Sequence, residues 1–209
     1  MAILLDSASL EDAQAAAELG FVLGATTNPT LLRQVGGPAN EVIGALADLD
    51  LSPVFYQLSA PTLAEREAEA RRILEVRANV IGLKIPCTTE NLSLVAKFSM
   101  EGYTLGVTAI FSPGQALLAC EAGADFLLPY VNRSTCLLGD GFELVRQIRA
   151  VTDSVDTGTE IIAASIKSTD EAVQTLLAGA HHLTLPLDLI RELGEHELSQ
   201  QAIIEFGQV

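Results

Sequence analysis

The sequence has little positive charge. Its 12 lysine and arginine residues face 27 aspartate and glutamate residues, so the net charge is −15. Only three residues are lysines: Lys84, Lys97 and Lys167. Because binding to nucleic acid or to an anionic membrane needs a basic surface, we expect neither kind of partner. Any site for an anionic substrate must then hold its own Arg or Lys, since the overall field repels anions.

Cysteine and histidine are also sparse. The three cysteines have no CxxC spacing, and the three histidines form no HExxH pattern. A disulfide framework or a zinc site needs regular ligand spacing, so neither is predicted. We expect no metal and no other cofactor, and we interpret the thiols as buried or merely tolerated. The cysteines are Cys87, Cys120 and Cys136.

Long hydrophobic runs are missing as well. No apolar run approaches the roughly 20 residues that a membrane-spanning helix needs. The first residues, MAILLDSASLEDAQ, lack the basic segment and the long apolar segment of a signal peptide. We therefore expect a cytoplasmic protein.

Eight short apolar runs rich in β-formers recur along the chain, with starts about 20 to 30 residues apart. That spacing is typical of a strand followed by a helix. The runs lie at residues 3–6, 22–28, 53–59, 80–86, 104–111, 126–131, 160–166 and 181–186.

Several intervals between these runs carry helix signals. Four of them open with a Ser or Thr capping residue and close on a glycine or on the sequence AGA. The fifth, at 62–77, has acids early and arginines late, which matches the helix dipole. The predicted helices lie at residues 9–20, 62–77, 88–102, 112–124 and 168–180.

This alternation predicts a (β/α)8 TIM barrel, with residues 1–209 forming a single domain that ends in a short C-terminal helix. An open doubly wound sheet is the alternative. Its main nucleotide-binding motifs, GxGxxG after the first strand and GxxxxGK[ST], are missing from the sequence.

Polar residues occur late in the apolar runs, where a barrel places its chemistry. A lone Thr, Ser, Gln or Tyr at such a position is ordinarily a core or capping residue, but here the strand ends share the pattern. The residues are Asp6, Thr26, Asn28, Gln57, Lys84, Thr108, Tyr130 and Ser165, with Thr184 as a further member.

Lys84 is the least ordinary of these residues because it lies inside the apolar run IGLKIP. Burial disfavours the charged form of lysine and lowers its pKa. A neutral amine attacks carbonyl groups and forms a Schiff base. Such chemistry needs a proton shuttle, for which Asp6 is available, while Gln57, Thr108 and Tyr130 together can orient a water.

The sequence resembles the transaldolase family from Asp6 to about Asp188. The likeness lies in LDSAS, GATTNPTLL, GLKIP, GVTAIFSPGQALLACEAGADFLLPYVNR, AASIKS and LTLP. The most similar members are in its short, fructose-6-phosphate aldolase-like branch. The family fold is a (β/α)8 barrel, and the resemblance implies carbohydrate chemistry on sugar phosphates.

The resemblance also implies roles for single residues. Lys84 forms the Schiff base with a ketose, and Asp6 transfers protons near the sugar hydroxyls. Thr26 and Asn28 bind the hydroxyls of the donor. Arg133 and Ser165 bind the acceptor phosphate. Lys167 is a further source of charge there, although its ordinary interpretation is a surface lysine. Family members form ring-shaped oligomers through a C-terminal helix, so we expect a homo-oligomer, a pentamer or a decamer.

Three positions bear on the reaction. The resemblance implies that transaldolases have Glu in place of Gln57 and Phe in place of Tyr130; they also carry an asparagine two residues before Thr108. These differences favour a class I aldolase that interconverts fructose 6-phosphate with dihydroxyacetone and glyceraldehyde 3-phosphate. A transaldolase of the pentose phosphate pathway, which transfers the dihydroxyacetone unit between sugar phosphates, is the alternative. A non-catalytic sugar-phosphate-binding barrel and a metal-assisted aldolase are further alternatives.

Overall fold

The computed structural model describes residues 1–207, and its centre is a closed barrel of eight parallel strands in sequential order. This architecture confirms the predicted (β/α)8 barrel. The strands are β1 (Ile3–Asp6), β2 (Val22–Thr26), β3 (Val54–Gln57), β4 (Ile81–Pro86), β5 (Leu105–Ile110), β6 (Phe126–Pro129), β7 (Glu160–Ala163) and β8 (His182–Leu185).

Helices connect the strands and surround the barrel. Within residues 1–207 they are α1 (Leu10–Glu18), α2 (Pro29–Val35), α3 (Ala39–Ala47), α4 (Leu63–Arg77), α5 (Thr89–Met100), α6 (Pro113–Glu121), α7 (Val131–Leu138), α8 (Gly141–Ser154), α9 (Thr169–Leu177), α10 (Leu187–Glu192) and α11 (Glu197–Phe206). In that part of the chain, no helix has both the length and the apolar character required to cross a membrane.

The five predicted helices are present, and each begins with a capped first turn. In each, a Ser or Thr side chain accepts a hydrogen bond from the backbone N–H three residues later. This bond satisfies an amide that the helix itself leaves without a partner. The caps are Ser9, Thr62, Thr88, Ser112 and Ser168.

Side chains alternate between the barrel interior and the helical layer, as the two-residue period of a strand requires. One set packs against the helices in the main hydrophobic core, which includes Leu5, Leu83 and Val107. The other set fills the lower interior of the barrel with Leu4, Phe55, Leu128 and Ile162.

The strand register brings polar residues together above this apolar floor. Asp6 lies opposite Thr26, and Gln57 lies opposite Lys84. Asp6 and Gln57 come two positions after Leu4 and Phe55 of the apolar floor, each on the same strand. Thr26 and Lys84 lie opposite them on the neighbouring strands. They therefore form the top interior layer, at the carboxyl ends of the strands, where barrels carry their sites.

Candidate active site

A pocket of about 490 Å³ opens at the carboxyl ends of the strands. Catalytic or substrate-binding roles were assigned to nine residues in the sequence analysis, and seven of these nine line the pocket: Asp6, Asn28, Gln57, Lys84, Tyr130, Arg133 and Ser165. A second cavity of about 640 Å³ lies beside α3 and α4, and none of the nine lines it. The pocket at the barrel mouth is therefore where the chemically distinctive side chains meet.

Lys84 reaches this pocket from β4, although only 3% of its surface is exposed. Burial lowers its pKa to about 8, while the negative charge of Asp6 acts in the opposite direction. At pH 7 about a tenth of such amines are neutral, against about one in 3,000 for an amine with the usual pKa. Lys84 thus has the character of a carbonyl-directed nucleophile.

Two threonines fix the Asp6 carboxylate in place. The Thr26 hydroxyl donates to Asp6 Oδ1 at 2.9 Å, and Thr26 Oγ1 lies 2.6 Å from Thr184 Oγ1. Since the single hydrogen of Thr26 is used on Asp6, Thr184 is the donor in the second bond. Thr26 is fully buried beneath the pocket, so its clearest role is to orient Asp6. A direct contact between Thr26 and substrate stays a prediction.

Gln57 and Thr108 carry polar atoms that lack a partner. Gln57 Oε1 and Thr108 Oγ1 are both buried, and neither has a hydrogen bond within residues 1–207. Buried polar groups nearly always find a partner, either in the protein or in a bound molecule. Gln57 lines the pocket, whereas Thr108 lies below its surface. Both atoms are therefore suited to bind a water or a substrate hydroxyl.

Asn28 joins the pocket to the start of α2. Its Oδ1 accepts from the backbone N–H groups of Thr30 and Leu31, at 3.0 and 3.1 Å. This cap uses the amide oxygen, so the NH₂ group of Asn28 is the part that can donate to a substrate hydroxyl. Thr30 and Leu31 also line the pocket. Sequence reasoning missed both because it extended the apolar run to residue 28 and predicted no helix beyond it.

Aromatic and cationic side chains meet on another wall. The guanidinium carbon of Arg133 lies 5.0 Å from the centre of the Tyr130 ring, and Phe111 packs edge-on against the same ring at 6.0 Å. Arg133 is exposed to the pocket, and Lys167 lines it as well. Lys167 is exposed, as predicted for a surface lysine, and its place in the lining also lets it add charge to the pocket. Two cations thus offset the acidic field locally.

Ser165 lies in the turn that follows β7. Its φ angle is +60°, in the left-handed region that residues with a side chain rarely adopt. Such strain persists only where the surrounding structure holds it, and it is concentrated at functional sites. The turn places Ser165 beside Arg133 and Lys167 in the pocket lining.

Comparison with known proteins agrees with the family resemblance seen in the sequence. Residues 3–208 match the family model described as Transaldolase/Fructose-6-phosphate aldolase. The chain is 37% identical over 206 residues to a "Probable transaldolase" of Caulobacter sp., covering 99% of this chain and 94% of that protein. A protein of the same name from Lactiplantibacillus plantarum is 37% identical over 207 residues, with 99% and 95% covered. Another, from Alkaliphilus metalliredigens, is 36% identical over 206 residues, with 99% and 96% covered.

Proposed function

We propose a reaction on the premise that this chain belongs to the transaldolase/fructose-6-phosphate aldolase family and is an enzyme of that type. The reaction is the reversible aldol cleavage of fructose 6-phosphate to dihydroxyacetone and glyceraldehyde 3-phosphate. The observation that carries it is the buried Lys84 amine, with its pKa lowered to about 8, in a pocket at the barrel mouth. The family context makes a Schiff base the natural use of such an amine.

The first step is attack of neutral Lys84 Nζ on the ketone carbon C2. The carbinolamine loses water and becomes an iminium ion, which withdraws electrons from the neighbouring carbon–carbon bond. Asp6 takes the proton of the C4 hydroxyl while the C3–C4 bond breaks, and the electron pair forms an enamine. Glyceraldehyde 3-phosphate leaves, and Asp6 gives the proton that it took to C3, which restores the iminium ion. Water then hydrolyses this iminium ion and releases dihydroxyacetone from Lys84. The bonds that Thr26 and Thr184 make below Asp6 support this role.

The remaining residues take the positions that these steps need. Gln57, Thr108 and Tyr130 hold the water that leaves and returns during carbinolamine chemistry. The partnerless buried atoms of Gln57 and Thr108 support this assignment. Thr26 and Asn28 serve the donor hydroxyls, Thr26 by way of Asp6.

The phosphate group is assigned to the cationic wall. Arg133 and Ser165 bind it, and Lys167 adds charge from the same turn as Ser165. Arginine suits phosphate because its planar fork donates two parallel hydrogen bonds. Their common position in the pocket lining supports the assignment.

The test is reductive trapping together with a direct assay. Borohydride added with dihydroxyacetone should attach a stable mass to Lys84, and Lys84→Ala should lose both this mass and the formation of fructose 6-phosphate. Chelator should leave the activity unchanged. Undiminished synthesis by Lys84→Ala would refute the proposal. Binding of fructose 6-phosphate without turnover by the intact protein would instead select a non-catalytic barrel, and loss of activity with chelator a metal-assisted aldolase.

Transaldolase activity is the second candidate function, and the name printed for the relatives favours it. The neutral Gln57 amide and the Tyr130 hydroxyl favour the aldolase. An amide cannot take a proton from water as a glutamate can, so the hydroxyls of Tyr130 and Thr108 activate the water instead.

Gln57→Glu combined with Tyr130→Phe should shift the ratio of activities from cleavage toward transfer. The measurement compares turnover of fructose 6-phosphate alone with turnover after addition of erythrose 4-phosphate. An unchanged ratio in the double variant would remove the reason for ranking the aldolase first.

A further inference from the structure

We propose that Glu171 is a positioning residue that sets the geometry of the phosphate-binding wall of the pocket. The proposal rests on the proposed function, because it concerns how the same site holds a sugar phosphate. Glu171 lies on α9, outside the pocket lining, and none of the roles assigned above uses it.

Glu171 is a buried acidic residue with two uncharged partners. Its Oε2 accepts from the backbone N–H of Lys167 at 2.6 Å, and its Oε1 accepts from Asn132 Nδ2 at 3.1 Å. Both oxygens of the side chain are therefore engaged as hydrogen-bond acceptors. Within residues 1–207, none of the ion pairs includes Glu171. A buried polar group needs hydrogen-bond partners, and these two bonds supply them at the N-terminal end of α9.

An ordinary helix cap does not account for this arrangement. Glu65 occupies the third position of α4, as Glu171 does in α9, and it accepts from the N–H of its own N-cap, Thr62, at 3.1 Å. Glu171 passes over its N-cap Ser168 and reaches Lys167, one residue further back. It also bonds a second element, α7, through Asn132. The carboxylate therefore links two segments rather than closing one helix.

The two segments are those that carry the proposed phosphate ligands. Asn132 directly precedes Arg133, and Lys167 lies two residues after Ser165. The Asn132 N–H also donates to the Ser165 carbonyl at 2.9 Å, which fixes one side of the link. The side chain of Glu171 connects the same two segments a second time, through its bonds to Lys167 and Asn132. It thereby helps to hold Ser165 in its left-handed conformation and sets the spacing between Arg133 and Ser165.

This geometry matters for a phosphate in particular. Charge-assisted hydrogen bonds to phosphate are short and directional, so a small change in spacing weakens them. The Lys84 chemistry at the other side of the pocket does not depend on that spacing. Loss of the link should therefore affect phosphorylated substrates selectively.

The experiment compares fructose 6-phosphate with fructose as substrates of wild type, Glu171→Ala and Glu171→Gln. For Glu171→Ala we expect KM for fructose 6-phosphate to rise about tenfold with little change in kcat, as loss of buried hydrogen bonds implies. The kinetic constants for fructose should stay within about twofold of the wild type. Glu171→Gln should recover part of the loss, because its oxygen can still accept from Lys167.

Two controls separate positioning from general damage. Glu65→Ala removes a carboxylate at the same helix position far from the pocket lining, and it should leave both substrates unaffected. Asn132→Ala should reproduce the Glu171→Ala effect, and the double variant should lose little more than either single variant. Additive losses would contradict a shared link.

Three outcomes would overturn the proposal: equal losses for both substrates, no loss for either, or a KM for fructose 6-phosphate that falls when the negative charge is removed. Trapping of wild-type Lys84 with borohydride shows separately whether the proposed function stands. If the wild type has no turnover, calorimetric titration replaces the kinetic assay. It compares the affinities of wild type, Glu171→Ala and Glu171→Gln for fructose 6-phosphate and for inorganic phosphate. Unchanged affinities in Glu171→Ala and Glu171→Gln would then refute the link.

Discussion

Lys84 shows how one residue combines burial with function. Removing the ammonium from water lowers its pKa, and the carboxylate of Asp6 offsets only part of that effect. The result is an amine that is neutral far more often than a surface lysine. Asp6 in turn is held by the Thr26 hydroxyl, so the proposed proton-transfer group and the proposed nucleophile lie in one interior layer.

The pH dependence of Schiff-base formation follows from this balance. The amine reacts when neutral, so the rate should rise with pH and level off above about 8. Dihydroxyacetone is mixed with enzyme for varied times at each pH, reduced in a common borohydride quench, and the mass on Lys84 is measured. Asp6→Asn removes the charge that raises the pKa, so its midpoint should move to lower pH. A wild-type midpoint near 10.5, or an upward shift in the variant, would contradict this account.

At the scale of an element, β4 shows how a strand positions such a residue. Gly82 and Lys84 are two residues apart and face the interior, which suggests free space next to the lysine. The structure shows that the ring of Phe55 occupies this space. A Cβ atom on Gly82 would lie 2.6 Å from Phe55 Cε1, closer than side-chain carbons pack. Glycine at position 82 is therefore a requirement of the barrel floor below the site.

Gly82→Ala tests this packing. We expect it to lower the free energy of unfolding by about 1–3 kcal/mol, as overpacking of a core does. Phe55→Leu in the same chain should recover part of the loss. Gly114→Ala, where the added methyl group meets only Ser112 Oγ at 4.0 Å, is the matched control and should be neutral or slightly stabilising. Chemical denaturation measures all three variants, and equal stability of Gly82→Ala and wild type would contradict the steric argument.

On the scale of the whole molecule, α11 differs from the other long helices. None of its residues is buried, and it exposes Leu198, Ile203, Ile204 and Phe206. Exposed apolar clusters of this kind mark interaction surfaces. The family resemblance implies that a C-terminal helix packs against a neighbouring subunit. The homo-oligomer, pentamer or decamer, stays a prediction that this exposed face supports.

Light scattering after size-exclusion chromatography tests the assembly. Wild type should have the mass of five or ten chains. Ile203→Asp combined with Phe206→Asp should give a smaller species, because two charges cannot be buried in an apolar interface without cost. Ser199→Asp, a polar position of the same helix, should keep the wild-type mass. A wild-type mass of a single chain would refute the prediction.

Some helices of this chain begin without any signal in their local sequence. Of the helices that the sequence analysis did not predict, α3, α7 and α10 begin without a side-chain cap, at Pro38, Tyr130 and Pro186. Each of them buries apolar side chains, among them Ile43, Val131 and Leu189, so tertiary packing stabilises these helices without a local signal at their start. The signals for α2 and α8 were present, at Asn28 and Asp140, and were missed.

The sequence by itself determined the eight strands, the polar residues at their ends and the unusual position of Lys84, because apolar runs and the residues within them are local properties. The tertiary structure decided the depth of each polar residue. It placed Thr26 and Thr108 beneath the pocket and joined Thr26 to Thr184 across 158 residues of sequence. It also brought Lys167 to the pocket. Depth and cross-barrel contacts depend on strand stagger and barrel closure, which involve distant segments and leave no mark on any one of them.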